Sequence, residues 1–516
     1  MRDRYFILLI VLLIALVELP FVEYITDDTF IHLQFAKNLV AGRGFSFNPG
    51  EPTYGFTSPL WILLISAGGL AGAELLAIAK LLGLAALILS GVFFYLLFLR
   101  VSSDRHLSRA ATLVWILNGW SVRWALSGME TSLMTAWVIL SLYYFHRDTE
   151  SGVPRHSVWI LALASIVRPE AIALLLICVV ASLLPSVWSR VPGGRAGGRK
   201  VGFSILLSGG AVSLAWFAFA LMQFGRMSPS TVAVKAGRFI SPEGLWKSVI
   251  VVGKIVGSTN GLEMALMAMV LMTALVKKSL PGRLSSFHVA AVGWLVALPA
   301  LYVVRDVQVV SRYLVPVLPV AVLYGFLSLR RICEAAKLTP RSFRLSVSAV
   351  SAVCIALNVL VLTLVAYPHT HSFSRDMRGS LVYLGEWFSA NTPAATSVAI
   401  PDVGAFAYYS DRKVVDLGGL ATPAMIPILR EHDLDEILTH FLFAQVARPD
   451  YVVDRARSPR RLLRVEGLRD AVTPVVTTSV SNLGITRPGT FYYTAYRIEW
   501  DKIAPGITAG EGTASK

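Results

Sequence analysis

Apolar residues fill the first 366 positions in long unbroken runs, then give way to short alternating stretches. Read against a hydrocarbon core about 30 Å thick, the runs predict eleven transmembrane helices. They lie at 5–22, 75–99, 107–126, 131–146, 157–168, 170–188, 202–222, 261–276, 286–304, 313–329 and 344–366. Two stretches need arbitration. Segment 58–72 reads as a twelfth span or as a re-entrant or interfacial helix, and 157–188 as a hairpin or as one helix interrupted by Pro169. The tendency of Lys and Arg to stay on the cytoplasmic face decides both. Arg2 and Arg4 and the blocks around Arg100, Arg147, Arg199, Lys277 and Arg331 together hold 19 basic residues. All share one face if the chain turns back at Arg168-Pro169-Glu170 and if 58–72 does not cross. The N-terminus is then cytoplasmic and the C-terminal region extracytoplasmic. No small-residue cleavage site follows the first run, and Glu23, Asp27 and Asp28 come next, so an uncleaved first span is expected rather than a signal peptide.

Beyond this region, strand-like runs at 397–400, 413–415, 451–453 and 491–498 alternate with helix-like stretches at 381–389 and 433–445. That alternation predicts an α/β domain. The expected division is a membrane domain at 1–366, with a first outward loop at 23–58, and an extracytoplasmic α/β domain at 367–516. The Gly-, Thr- and Ala-rich C-terminal end reads as disordered.

Composition agrees with a polytopic α-helical membrane protein. Of 516 residues, 55% are apolar and only 15% charged, against roughly a quarter charged in soluble domains. Three cysteines, Cys178, Cys333 and Cys354, all upstream of the α/β region, offer no disulfide framework. The net charge of +15 would suggest a polyanion partner in a soluble chain. From Pro368 onward, however, 16 basic residues balance 16 acidic ones. The excess therefore lies in the membrane half and reads as topology, with no nucleic-acid partner.

The outward loops carry the unusual residues. Thr26 precedes Asp27 and Asp28 at the end of the first span. Thr26 is a good N-cap, and acids in a first helical turn suit the helix dipole. Equally, paired acids at a membrane edge mark a functional site. In a continuing helix Asp28, His32 and Phe35 share a face while Asp27 points elsewhere. Glu130, Arg168 and Glu170, then Arg226, Lys235 and Arg238, then Arg305, Asp306 and Arg312 bring further charges to the same side. Singly, each reads as an interfacial anchor. Together they suit an anionic lipid headgroup, with guanidiniums for phosphate and a carboxylate for a proton. Tyr54, Phe56 and Trp61 offer faces for a sugar or lipid, or form an interfacial aromatic belt. His369 and His371 read as an interfacial feature rather than a metal site. No nucleotide-binding loop or nucleophile elbow is present.

These residues resemble a known family. The pattern Asp27-Asp28-x-x-Ile31, Asn48-Pro49-Gly50-Glu51 and Gly55-Phe56-Thr57-Ser58-Pro59 looks like that of bacterial GT-C membrane glycosyltransferases, in the branch with the mycobacterial terminal arabinofuranosyltransferases. Gly128-Met129-Glu130-Thr131, Arg168-Pro169-Glu170, Pro229-x-Thr231-x-x-x-Lys235 and Arg312-Tyr313-Leu314-x-Pro316 follow in order. In the α/β region Asp402-Val403-Gly404-Ala405, Asp416-Leu417-Gly418-Gly419 and Arg448-Pro449-Asp450-Tyr451 also match. The resemblance implies a GT-C-like fold, a polyprenyl-phosphate-sugar donor, inversion by single displacement, and an acid at the end of the first span as base. Asp28 is assigned that role and Asp27 the positioning of an acceptor or a metal, with the order of the two open. Arg312 and Lys235 are assigned to the donor phosphate. His32, Tyr54, Trp61, Glu130, Arg168 and Glu170 are assigned to sugar or acceptor contacts. No cofactor is required, although a divalent cation on the two acids is compatible. The expected setting is a multi-pass protein of the bacterial cytoplasmic membrane acting on a glycan, lipid or protein acceptor. The rival reading is a transporter or flippase of lipid-linked sugars, for which repeated halves and midplane charges would be expected; the sequence pattern displays neither.

Overall fold

Polar residues punctuate the apolar runs where helices begin. Glu74 accepts the N–H groups of Leu76 and Ala77 at 2.9 and 2.6 Å, and Asp104 those of His106 and Leu107 at 2.8 and 3.0 Å. Asn118 restarts a helix broken at Leu117 by accepting from Trp120 and Ser121, and Thr339 caps a helix opened by Pro340. Each side chain satisfies backbone donors that a helix start leaves unpaired. A computed structural model describes residues 3–184, 194–235, 242–277, 285–305, 307–483 and 488–503. Predicted features at 185–193 and 278–284, at Arg238 and Asp306, and in the C-terminal tail lie outside the described residues.

Every predicted span overlaps one or more helices among the described residues. Among the described residues, seven helices are long and apolar enough to cross a membrane: Asp3–Phe21, Leu75–Ser102, Gly197–Phe224, Pro242–Val276, Ser286–Val304, Ser311–Ala335 and Pro340–Asn391. The other predicted spans fall on Arg105–Ile116 with Gly119–Ala125, on Thr131–Ser151, and on the short apolar helices His156–Val167 and Ala171–Leu183. The Arg168-Pro169-Glu170 corner separates the last two. Pro59–Leu70 has 12 residues, about 18 Å of helix, well short of the hydrocarbon core.

Two boundaries differ from the expectation. The predicted 261–276 span is the second half of a helix that starts at Pro242 and kinks at Asn260 (φ −128°). Polar residues such as Lys247, Lys254 and Ser258 interrupt the apolar signal in its first half. The last helix does not stop at 366. It passes through π-helical turns at Leu362–Ala366 and Arg378–Val382 and ends at Asn391. Pro368, which lacks an N–H, follows the first wide turn, where a regular ladder would have needed its donor. The domain division drawn at 366/367 therefore falls inside a helix.

Asn118 donates to Asn260 at 3.1 Å, while Asn358 accepts from Gly119 and donates to the Thr259 carbonyl at 2.8 and 2.9 Å. This seam ties three helices together in the bundle interior. Glu18 and Glu263 are also buried within membrane helices, which the sequence pattern did not single out.

The C-terminal domain is a five-stranded sheet ordered β2-β1-β3-β5-β4, with β1 Ser397–Ile400, β2 Lys413–Asp416, β3 Tyr451–Ala456, β4 Val472–Asn482 and β5 Pro488–Ile498. β1 pairs parallel with β2 and β3, and β5 pairs antiparallel with β3 and β4. β4 was not anticipated. It is an edge strand that contains Pro474 and two register shifts, features that weaken a strand signal.

One face of this sheet is continuous with the loop after the first span. Phe30, Phe35, Phe47 and Phe56 share an apolar core with Val398, Phe406, Val453 and Tyr493. Asn48 both accepts from and donates to the backbone of Val414, each at 2.9 Å, which occupies the free edge of β2. Lys37–Asp411 and Lys413–Glu51 pairs, both 2.5 Å, flank the contact. The closest approach is at Gly404, where an added Cβ would lie 2.0 Å from the Asp27 carbonyl oxygen. We expect Gly404→Ala to destabilise the docked domain by about 1–3 kcal/mol, seen as a lower unfolding temperature and faster limited proteolysis. A variant matching wild type in both would contradict this contact.

Candidate active site

The site grows from one helix start. Thr26, in extended backbone, accepts the Thr29 N–H at 3.3 Å and opens the helix Asp27–Val40. Successive residues on a helix diverge by about 100°, so the two acids face different partners. Asp27 accepts the backbone N–H groups of Gly404 and Ala405 at 3.1 and 2.8 Å, at the start of the helix Gly404–Ser410. Burial, then the charge of Asp402, pushes the Asp27 carboxyl up to about 7. Asp402 is itself held by Arg455, at 2.8 and 2.7 Å, and by the Tyr493 hydroxyl at 2.7 Å.

Asp28 turns the other way and forms an ion pair with Arg312. The Arg312 guanidinium lies 5.6 Å from the ring centre of Trp124 and 5.3 Å from that of Tyr313, and the Trp124 N–H donates to Ser311 at 2.9 Å. Two aromatic faces thus hold a cation that, among the described residues, pairs with the carboxylate of Asp28.

Asp28 and Arg312 lie on the wall of a cavity of about 390 Å³. Opposite them runs a buried polar chain. Arg168 donates to Glu130 at 2.8 Å and to Glu170 at 3.3 Å, and the Tyr302 hydroxyl donates to Glu170 at 2.9 Å. His32, one turn beyond Asp28, places Nε2 3.9 Å from Glu130 Oε2. Burial lowers the His32 pKa despite the nearby Glu130 and Asp28 charges. Burial opposes ionisation of Glu130, but Arg168, His32 and Arg312 outweigh it and hold the group below the usual carboxylate range. Among the described residues, His32 Nδ1 and Glu130 Oε2 are buried without a hydrogen-bond partner. The remaining wall is apolar, with Ile172, Leu176, Leu301 and Val307, and Leu176 is half exposed on the bundle surface.

The structure therefore brings Asp28, His32, Glu130, Arg168, Glu170 and Arg312 together at one cavity. It does not bring Tyr54 or Trp61. Tyr54 is buried against Phe56 and Phe224, with its hydroxyl accepting from Trp216 at 2.8 Å. Trp61 is fully buried and donates to the Gly128 carbonyl at 3.1 Å. Neither ring lines the cavity; both pack inward and hold the loop in place. The Lys235 side chain lies outside the described residues. His369 and His371 lie on the helix Tyr367–Met377, where a spacing of two sends side chains to opposite sides. Asp27 has both oxygens on backbone donors and Asp28 faces Arg312, so the two acids do not form a cation cradle. Among the described residues no cluster of three or more His, Cys, Asp or Glu comes together.

Residues missed in the sequence also line the cavity: Tyr302, Tyr313 and, from the C-terminal domain, Leu420. Leu420 reaches the wall because Asp416 folds its loop, accepting from Gly418 and Ala421 at 2.7 and 2.6 Å. Gly55 opposes it, where an added Cβ would meet Leu420 at 2.8 Å.

Residues 373–505 match a family described as a domain of unknown function (DUF8728). Over 230 residues the chain is 29% identical to the terminal beta-(1->2)-arabinofuranosyltransferase of Mycobacterium tuberculosis (strain ATCC 25618 / H37Rv), covering 41% of this chain and 35% of that protein. The match thus spans about a third of that relative's length. ArnT from Cupriavidus metallidurans in the apo state superposes with a TM-score of 0.61 at 13% identity, over 98% of this chain and 100% of that one. The same protein bound to undecaprenyl phosphate gives 0.53 at 14% identity, over 94% and 97%. The Archaeoglobus fulgidus oligosaccharyltransferase tethered to an acceptor peptide gives 0.52 at 13%, over 87% and 69%. The chain has a GT-C-like fold, polytopic and α-helical with a C-terminal α/β domain, and resembles GT-C glycosyltransferases.

The raised Asp27 pKa carries a sign. Its folded value of about 7 exceeds the ordinary 3.8, so the folded state binds the proton more tightly. Stability contributed by this group is complete below pH 3.8 and is lost as pH rises through about 7. Asp416, raised to about 6 mainly by burial, acts in the same direction. Unfolding temperature should fall between about pH 4 and 7, and Asp27→Asn should flatten the upper part of that slope. An unchanged slope in the variant would contradict the burial of Asp27.

Proposed function

We propose that the chain is a glycosyltransferase that moves a sugar from a polyprenyl-phosphate donor to a hydroxyl acceptor, with inversion at the anomeric carbon. The observation that carries this reading is the meeting of Asp28 and Arg312 on the wall of a cavity that also has an apolar, lipid-facing side. An acceptor hydroxyl ionises far above neutral pH, so it needs a carboxylate close by to take its proton as the bond to the anomeric carbon forms. On this reading Asp28 is that carboxylate. The bond from the anomeric carbon to the phosphate oxygen breaks in the same step, and the departing phosphate needs cations rather than a proton. Arg312 supplies one, and Arg305 also lines the cavity.

The donor phosphate competes with Asp28 for Arg312, so donor binding frees the carboxylate for its role as base. His32 Nδ1 and Glu130 Oε2, buried and without a hydrogen bond among the described residues, are polar atoms with spare capacity for sugar hydroxyls. The arabinofuranosyl transfer and undecaprenyl phosphate named for the similar proteins support the donor class. On this reading the protein lies in the bacterial cytoplasmic membrane, with its basic loops inside and the cavity and α/β domain outside. Asp27 acts here as the support of the C-terminal domain rather than as a second base.

In purified protein supplied with a panel of polyprenyl-phosphate sugars, Asp28→Asn should lower turnover by about 10²- to 10⁴-fold while the protein stays folded and binds donor at least as tightly, because the carboxylate no longer competes for Arg312. Full activity in that variant would remove Asp28 as base. Arg312→Ala should weaken donor affinity by about 10- to 100-fold, and unchanged affinity would remove Arg312 from the phosphate site.

A further inference from the structure

A second cavity, of about 230 Å³, opens where the end of the first span meets the last helix. Pro20, Glu23 and Tyr24 from the end of the first span form one side of it. Thr370, His371, Ser374, Arg375 and Arg378 from the last helix form the other. It shares no lining residue with the larger cavity.

The charges here do not balance. Arg378 donates to the Glu23 carboxylate at 2.5 Å and to the Glu23 carbonyl at 3.1 Å. The Lys80 amine, close enough to Glu23 and Arg378 to interact with both, donates to the Val22 carbonyl. Among the described residues the Arg375 side chain has no hydrogen bond or ion pair, and it lines the cavity. Arg378 and Lys80 thus share the one carboxylate of Glu23, and Arg375 adds a further positive charge to the cavity wall. The nearby acids have other work: Glu74 caps the helix Leu75–Ser102, and Asp376 accepts the Ser481 N–H at 2.7 Å.

Directly beside this cluster the surface turns apolar. Leu16, Leu19 and Val22 on the first span, Leu81 on the next and Leu364 and Tyr367 on the last are all exposed. An apolar strip on membrane-spanning helices faces acyl chains, and a net cationic cavity at its end attracts anions. Both properties together match a molecule with hydrocarbon tails and a phosphate. The cavity is little more than half the volume of the larger one, and its one carboxylate, Glu23, is held by Arg378 through both the side chain and the carbonyl, so it suits a small headgroup rather than a reacting pair of substrates.

We propose that this cavity binds the phosphate headgroup of an anionic glycerophospholipid whose acyl chains lie along Leu16, Leu19 and Leu364. The site adjoins the catalytic turn, because the Ile25 N–H donates to Ser374 at 3.2 Å, two residues before Asp27. A bound lipid therefore braces the turn from behind.

The test is native mass spectrometry of the full-length protein in mixed micelles with equal phosphatidylglycerol and phosphatidylcholine. One phosphatidylglycerol should be retained preferentially. Arg375→Gln, which removes a side chain without structural partners, should lower that preference about fivefold. Arg344→Gln, elsewhere on the bundle, should leave it unchanged. Equal retention of both lipids by wild type, or full preference in Arg375→Gln, would overturn the proposal. So would binding of soluble glycerol phosphate in place of the lipid, since the hydrocarbon strip would then contribute nothing. None of these readings involves donor or turnover, so failure here is distinguishable from failure of the glycosyltransferase assignment.

Discussion

The molecule is organised around one helical turn in which adjacent carboxylates cannot face the same way. Because Asp27 and Asp28 diverge by about 100°, one reaches the amides that start the helix Gly404–Ser410 and the other reaches Arg312. The first contact anchors the C-terminal domain to the membrane bundle. The second sets the polarity of the cavity. A change that rotated this turn would disturb both, and the close contact of Gly404 with Asp27 leaves little room for such a rotation.

Around the turn, buried charge is kept affordable by pairing. Moving an ion out of water costs several kcal/mol, and the cavity holds Glu130, Arg168, Glu170 and Arg312 at low exposure. Arg168 serves two carboxylates, Tyr302 donates to one of them, and Tyr313 lies near both guanidiniums. Arg312 differs from Arg168 in standing at the end of this network, with Asp28 as its partner. Replacing its carboxylate partner by another anion would therefore disturb the rest of the network least. The C-terminal domain closes the arrangement by sending Leu420 to the cavity wall, so a site built mainly from membrane helices depends on a domain far along the chain.

Much of this is legible along the chain. Apolar runs mark where the helices of the bundle lie, and the Arg168-Pro169-Glu170 corner separates the two short apolar helices His156–Val167 and Ala171–Leu183 as expected. Asp28 and His32 fall on one face by helical spacing alone. What the sequence hides is long-range or locally weak. Asp28 and Arg312 are 284 residues apart, and no local pattern joins them. Asp27 looks like a catalytic acid because its partners are backbone amides, which have no side-chain signature. Tyr54 and Trp61 look like ligand-facing rings because an aromatic run reads alike whether it packs inward or faces a substrate. β4 is masked by Pro474, and the first half of the helix Pro242–Val276 by its lysines and serines.

The most direct measurement is a cryo-EM structure of the full-length protein with a bound polyprenyl-phosphate sugar. The account predicts the phosphate beside Arg312, the prenyl chain along Ile172, Leu176 and Leu301, and Asp28 released from Arg312 and facing the anomeric carbon. A lipid phosphate located away from this cavity, with the Asp28–Arg312 pair intact, would contradict it.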